Sequence, residues 1–149
     1  VKEFPFASAV ISVYVHATES EEKVSGVLKF LLPKGVAVDA SKVKGHYGNP
    51  ITMLNAKVDG TADIRELWRI LFESLSAQEV EKIKRSVPDL VDGSCRLYLR
   101  FDKQQACEEK LALVGSGDAI HVKFKVLVYP AKQGAAIVAV EKFLQGGPV

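Results

Sequence analysis

The sequence predicts an α+β two-layer sandwich: a mostly antiparallel sheet with helices on one face and an open basic face. Three observations predict it. Several stretches alternate apolar and polar residues with period two, as strands buried on one side do. Others repeat apolar residues every three to four positions, as one-faced helices do. The order is strand, helix, strand, strand, helices, strand, short helix, strand, helix, which segregates the helices to one side.

The elements follow in order. In residues 7–16, Ile11, Val13 and Val15 alternate with Ser12, Tyr14 and His16. Thr18 followed by Glu21 reads as a capping box that starts a helix at about that point. Val24, Val27, Leu28, Leu31 and Leu32 form its apolar face, and Pro33 and Gly35 stop it. Residues 36–44 and 51–59 read as a β-hairpin around the loop "KGHYGNPI". Thr61 is expected to cap a helix carrying Ile64, Leu67, Trp68, Leu71 and Leu75. Ser76 and Glu79 read as a second capping box, with Val80, Ile83 and Val87 inward and Pro88 as the end. "CRLYLRF" at 95–101 is the sharpest strand, and Asp102 with Gln105 opens a short helix. Ile120, Val122, Phe124 and Val126 mark the last strand, and a final helix of about 134–145 packs on the domain or offers a partner surface.

Length and composition suit one globular domain over 1–149, with the C-terminal helix as a candidate appendage: 149 residues, 48% hydrophobic, 26% charged. No apolar run approaches the roughly 18 residues of a membrane span, and "VKEFPFASAV" lacks the pattern of a signal peptide. The expectation is a cytoplasmic protein without a membrane partner. Cys95 and Cys107 are too few for a disulfide framework. They read as reduced thiols, a bridge being open to a hyperthermophile.

The functional signal is the outward set of the strands. It comprises Ser12, Tyr14 and His16; Asn55, Lys57 and Asp59; Arg96, Tyr98 and Arg100; and His121, Lys123 and Lys125. The set holds five of the 20 Lys and Arg residues but one of the 18 acids, so a net charge of +2 hides a polarised molecule. Cations that track phosphates and rings that stack on unpaired bases suit RNA. A one-residue slip of register would undo the assignment.

"HATESEEKV" at 16–24, "GHYGNPI" at 45–51, "LRFDKQQA" at 99–106 and "GDAIHVKFKVLVYPAK" at 117–132 span nearly the whole chain. Together they resemble an archaeal family of RNA-binding proteins described as a predicted exosome subunit. That family has a ribosomal-protein-L-five-like or double-stranded-RNA-binding-domain-like fold. The resemblance implies an α+β fold, RNA association in an archaeal cytoplasm and no catalytic residue. His16, Gly45, His46, Gly48, Asn49, Arg100, Asp102 and Lys103 stand in its recurring blocks. His46 and Tyr47 then become candidates to touch RNA from the hairpin tip. The alternative is that Gly48 and Asn49 supply the turn while His46 packs on the first strand.

His16, His46 and His121 lack metal-ligand spacing, so neither a metal nor a cofactor is expected. "GSGD" at 115–118 lacks the P-loop lysine and reads as a chain reversal. No nucleophile–base constellation is recognisable, and Asp102 is explained as a helix cap. The reading is a non-catalytic RNA-binding protein, an accessory factor of RNA processing or of the archaeal exosome. Arg96, Arg100, Lys103, Lys123 and Lys125 would contact phosphates, with Lys57 in support. Tyr14, Tyr98 and Tyr47 would stack, and His16, His46 and Asn49 would give polar contacts. The rivals are a protein-interaction or homodimerisation module and a metal-independent RNase using His16, His46 and Lys103.

Overall fold

The computed structural model describes residues 3–45 and 48–146. The strands are β1 (Phe6–Val15), β2 (Asp39–Lys44), β3 (Pro50–Val58), β4 (Arg96–Asp102) and β5 (Ala119–Val126). The helices are α1 (Glu21–Leu31), α2 (Thr61–Glu73), α3 (Ala77–Leu90), α4 (Lys103–Ala106) and α5 (Gln133–Gln145). The five strands form one sheet in the order β2-β3-β1-β5-β4, and every neighbouring pair is antiparallel. This is the α+β class expected, with an open antiparallel sheet.

Alternation sets the two faces. Ala9, Ile11, Val13 and Val15 of β1 are buried, as are Leu97, Leu99 and Phe101 of β4 and Ile120, Val122, Phe124 and Val126 of β5. Leu54, Ala56 and Val58 of β3 join them beneath the helices. The helices bring Val24, Val27, Leu28, Leu31, Ile64, Leu67, Trp68, Leu71, Ile83 and Val87 to the same core. Helix α5 packs with Ala136, Val140, Phe143 and Leu144 buried, so it is part of the helical layer. Trp68 is the centre of this layer. Its ring stacks on Phe6 and Phe72 with centroids 4.6 and 4.1 Å apart, and meets Phe124 and Phe143 edge-on.

Several boundaries differ from the sequence expectation, each for a local reason. Ser20 rather than Thr18 caps α1, accepting a hydrogen bond from the Lys23 backbone N–H. Thr61 is the first residue of α2, and Gly60 precedes it without a side-chain cap. Ser76 caps α3 as expected, but the Glu79 carboxylate does not reach back to it. Glu79 accepts from the Leu113 backbone N–H and from Lys82 instead. Pro88 lies inside α3, which continues to Leu90 and closes with the Val91 N–H donating to the Val87 carbonyl at 3.1 Å. Strand β2 is exposed along its whole length, and the β4 edge is partly covered by 91–92 and 112–114. Cys95, buried before β4 at φ 61°, and Cys107 are both free.

In the hairpin loop, Gly45 donates to the Asn49 carbonyl at 2.7 Å and accepts from Gly48 at 3.0 Å. Gly48 takes the positive φ of 76°. A Cβ at Gly45 would come within 2.5 Å of the Ile51 side chain and 3.0 Å of the Asn49 carbonyl oxygen, so the closure leaves no room for one. His46 and Tyr47 lie outside the described residues. Among the described residues no helix is long and apolar enough to cross a membrane.

Leu99 is fully buried in the middle of β4. Leu99→Ala should cost about 2–5 kcal/mol in denaturant unfolding, and Val10→Ala, on the opposite face, well under half of that. Equal costs at the two positions would contradict a sheet buried on one side only.

Candidate nucleic-acid interface

The register assembles the outward residues into rows across the sheet. Val10 stands opposite Lys57 on β3 and Lys123 on β5, and Lys123 stands opposite Tyr98 on β4. In the next row Ser12 faces Asn55 and His121, and His121 faces Arg100. A third row joins Ser8, Lys125 and Arg96. Directly opposed residues share a face, so these side chains all project away from the helices. Asp39 on β2, opposite Asn55, is an acid on this side that the sequence reading did not place there.

The electrostatics of the rows are one-sided. Arg96 and Lys125 are directly opposed like charges, an arrangement that works against sheet stability. Among the described residues, Lys57, Arg96, Arg100, Lys123 and Lys125 have no carboxylate at ion-pair distance. Among the described residues Lys125 donates to the Ser94 carbonyl, at 3.3 Å.

Tyr98 organises the middle of the cluster. Its ring lies 4.3 Å from the Arg100 guanidinium carbon and 5.1 Å from the Lys123 ammonium, so two cations rest on one aromatic side chain. Its hydroxyl is 2.8 Å from His121 Nδ1. Burial, and then the charges of Arg100 and Lys123, push the His121 imidazole below its ordinary pKa of 6.5, against a weaker opposing pull from Asp118. The lowered pKa favours the uncharged ring. The tautomer that accepts the Tyr98 proton at Nδ1 carries its own proton on Nε2.

Lys103 corrects the sequence expectation of a phosphate contact. It is 5% exposed. Its ammonium donates to the Tyr14 carbonyl at 2.8 Å and to Glu19 at 2.7 Å, and pairs with Asp118 at 2.8 Å. A lysine enclosed in this way has no donor left for RNA. His16 sits beside the cluster, with Nε2 3.4 Å from Asp118, and its backbone N–H donates to Glu19. Burial works to raise the Glu19 pKa. The hydrogen bonds from Lys103 and the His16 N–H, with the charges of both residues, outweigh it and leave Glu19 below the usual 4.5.

His16, Glu19 and Asp118 offer ligand atoms within 4.8 Å of one another, a set that could hold a metal ion. Here the Lys103 ammonium already provides the cation between the two carboxylates. Of the residues of the RNase alternative, His16 and Lys103 meet at Asp118 with Lys103 enclosed, and His46 lies outside the described residues.

Sequence reasoning missed Glu19 and Asp118 as partners of Lys103, because the pairing spans 84 residues on one side. It also passed over Ile51 and Met53, although their alternation with Leu54 and Ala56 places them outward beside Asn55. A cleft of about 1060 Å³ lies elsewhere, between residues 3–5, 127–129 and α5.

Comparison with known proteins gives concordant relatives. A family model described as RNA binding matches residues 8–126. The RNA-binding protein PAB1135 from Pyrococcus abyssi is 33% identical over 141 residues, covering 91% of this chain and 92% of that protein. Protein AF2318 from Archaeglobus fulgidus superposes with a TM-score of 0.84 at 33% identity, covering 93% of this chain and 99% of that one. Mth689, a DUF54 protein from Methanothermobacter thermautotrophicus, gives 0.80 at 33% identity, covering 95% and 99%.

Replacing Lys103 by Met should destabilise the fold by about 1–3 kcal/mol at pH 7, less than for a fully enclosed pair because both carboxylates keep some solvent. The lowered Glu19 pKa fixes the sign of the pH effect. Its stabilisation is complete above about pH 4.5 and is lost as pH falls through the folded value. The gap between wild type and Lys103→Met should therefore narrow as pH falls below 4.5. A gap that widens on acidification would contradict the ion-pair assignment.

Proposed function

This chain belongs to the family described as RNA binding, and from that premise we propose that it binds RNA, without cleaving it, through the cation rows of β3, β5 and β4. The observation that carries the reading is the opposed pair Arg96 and Lys125, beside Lys123 and Arg100, with no internal carboxylate at ion-pair distance among the described residues. Repulsion of this kind is relieved by an anion from outside, and a phosphate backbone supplies anions at regular spacing. Arg96, Arg100, Lys123 and Lys125 take the phosphates, with Lys57 at the far side. Tyr98 holds Arg100 and Lys123 in place. Asn55 and Ser12 offer polar contacts in the adjoining row. His16 follows β1 and Asn49 precedes β3, so both border the face, and the sequence adds His46 and Tyr47 as candidates.

The absence of catalysis is part of the proposal. Its support is chemical: Lys103 is bound within an ion-pair cluster, and at His121 the charges of Arg100 and Lys123 outweigh the weaker pull of Asp118. An accessory role in RNA processing, including the archaeal exosome that the resemblance implies, fits a cytoplasmic binder that presents RNA to other proteins. Self-association through the exposed β2 edge remains compatible with the face staying free.

Four to five phosphate contacts imply a slope of log affinity against log salt of roughly −3 to −4 for single strands. Arg96→Ala or Arg100→Ala should each reduce it by under about one unit. A flat salt profile would remove the proposal. Labelled RNA should stay intact with purified protein, with or without chelator, whereas cleavage lost in His16→Ala would favour the RNase alternative.

The pH dependence has a definite sign. Phosphate near His121 would offset Arg100 and Lys123 and raise the imidazole pKa, so binding takes up a proton. Affinity should then strengthen as pH falls below about 6.5, and His121→Gln should lose that part of the gain. The same slope in wild type and variant would place the phosphates away from His121.

A further inference from the structure

The open face is chemically divided. Towards β4 and β5 it is cationic, whereas at the C-terminal end of β1 and the facing parts of β3 and β2 it is apolar, with Ser41 and Asp39 of β2 as its polar neighbours. Tyr14 stands opposite Met53, and Val43 stands opposite Ile51, so these four side chains form one corner of the face. Tyr14 is 41% exposed and Val43 38%. Ser12 and Asn55, paired across β1 and β3, lie between this corner and the cations.

We propose that the face is built for unpaired RNA, with the sugar–phosphate backbone on the β4–β5 side and bases laid against Tyr14, Met53 and Ile51. This rests on the RNA-binding reading above and names its substrate class. The geometry is of the right scale. Arg100 stands in the row of His121, Ser12 and Asn55, two residues along the strands from the row of Tyr14 and Met53. Two strand spacings and that step put it about 12 Å from Tyr14, a span that one nucleotide and the two side chains cover. An A-form duplex cannot use that corner. Its bases are stacked inside the helix, its major groove is too deep and narrow, and its minor groove offers hydroxyls and base edges. Only splayed bases present flat faces to an apolar surface, and their edges then fall near Asn55 and Ser12.

Tyr14 suits stacking better than Tyr98. The Tyr98 ring already carries two cations and its hydroxyl is engaged, so a base would have to displace Arg100 or Lys123. Met53 beside Tyr14 adds a polarisable, conformationally adaptable surface that accepts any base.

The test uses the full chain and three labelled probes of equal length in fluorescence anisotropy: a single-stranded RNA, the same strand in a duplex, and an abasic strand that keeps every phosphate. The single strand should bind more tightly than either other probe. Tyr14→Ala and Met53→Ala should each weaken it by about 5- to 150-fold, the worth of one stacked base, and leave the abasic probe and the salt slope unchanged. Val43→Ser, on an exposed edge, gives a third variant that tests the corner if Met53→Ala fails to fold. If wild type binds all three probes equally and Tyr14→Ala changes nothing, the base-stacking assignment is overturned while RNA binding stands. If none binds at low salt, the RNA-binding reading fails as well. If the variants alter sedimentation but not affinity for the single strand, the corner is a protein contact and the proposal is wrong.

Discussion

Burial of one sheet face against the helices is the constraint on which the molecule depends. Ile11, Val122 and Leu99 lie side by side across β1, β5 and β4, all fully buried. That row locks the register of three strands. Once it is set, Ser12, His121 and Arg100 are forced to the other side as a second row, with Val10, Lys123 and Tyr98 as a third. A slip of one residue would drive Arg100 and Lys123 under the helices and Trp68, and turn Phe124 out to solvent, at a cost no surface contact could offset. The hydrophobic core therefore holds the cations together despite their mutual repulsion.

A second tie works at the end of the sheet. Lys103, from the short helix after β4, reaches across to the Tyr14 carbonyl on β1 and pairs with Glu19 before α1 and Asp118 before β5. One ammonium thus connects segments far apart in sequence, at the edge of the apolar corner that contains Tyr14. An enclosed lysine with two carboxylates and a carbonyl is a fixed charge arrangement, and its role is positional. His16 adds to it through its backbone N–H to Glu19 and its ring near Asp118.

Much of this was legible in the sequence because it rests on short-range rules. Period-two alternation assigned the outward rows, including Arg96, Tyr98, Arg100, His121, Lys123 and Lys125, and the inward residues beside them. The Ser76 and Asp102 caps follow from side chains that reach only a few residues along the chain. What was not legible depends on distant pairing. Lys103 looked like a free cation because nothing local reveals Glu19 or Asp118 as its partners. Glu79 looked like half of a capping box, but a long-range backbone N–H, that of Leu113, takes its carboxylate. The apolar corner needed the β2–β3 register to bring Val43 beside Ile51. Thr18 with Glu21 fitted the capping-box pattern, but it is the Ser20 hydroxyl that accepts from the Lys23 N–H and caps the helix.

The central claim is that RNA lies on the strand face and not on the helical layer or the cleft beside α5. Titrating isotope-labelled protein with a short single-stranded RNA at low salt, and following amide and side-chain NMR shifts, tests it most directly. The account predicts that the largest changes fall at residues 96–100 and 121–125 and extend to Tyr14 and Met53, while α2 and α3 stay unmoved. Changes concentrated on α5 and residues 127–129, with β4 and β5 silent, would contradict it.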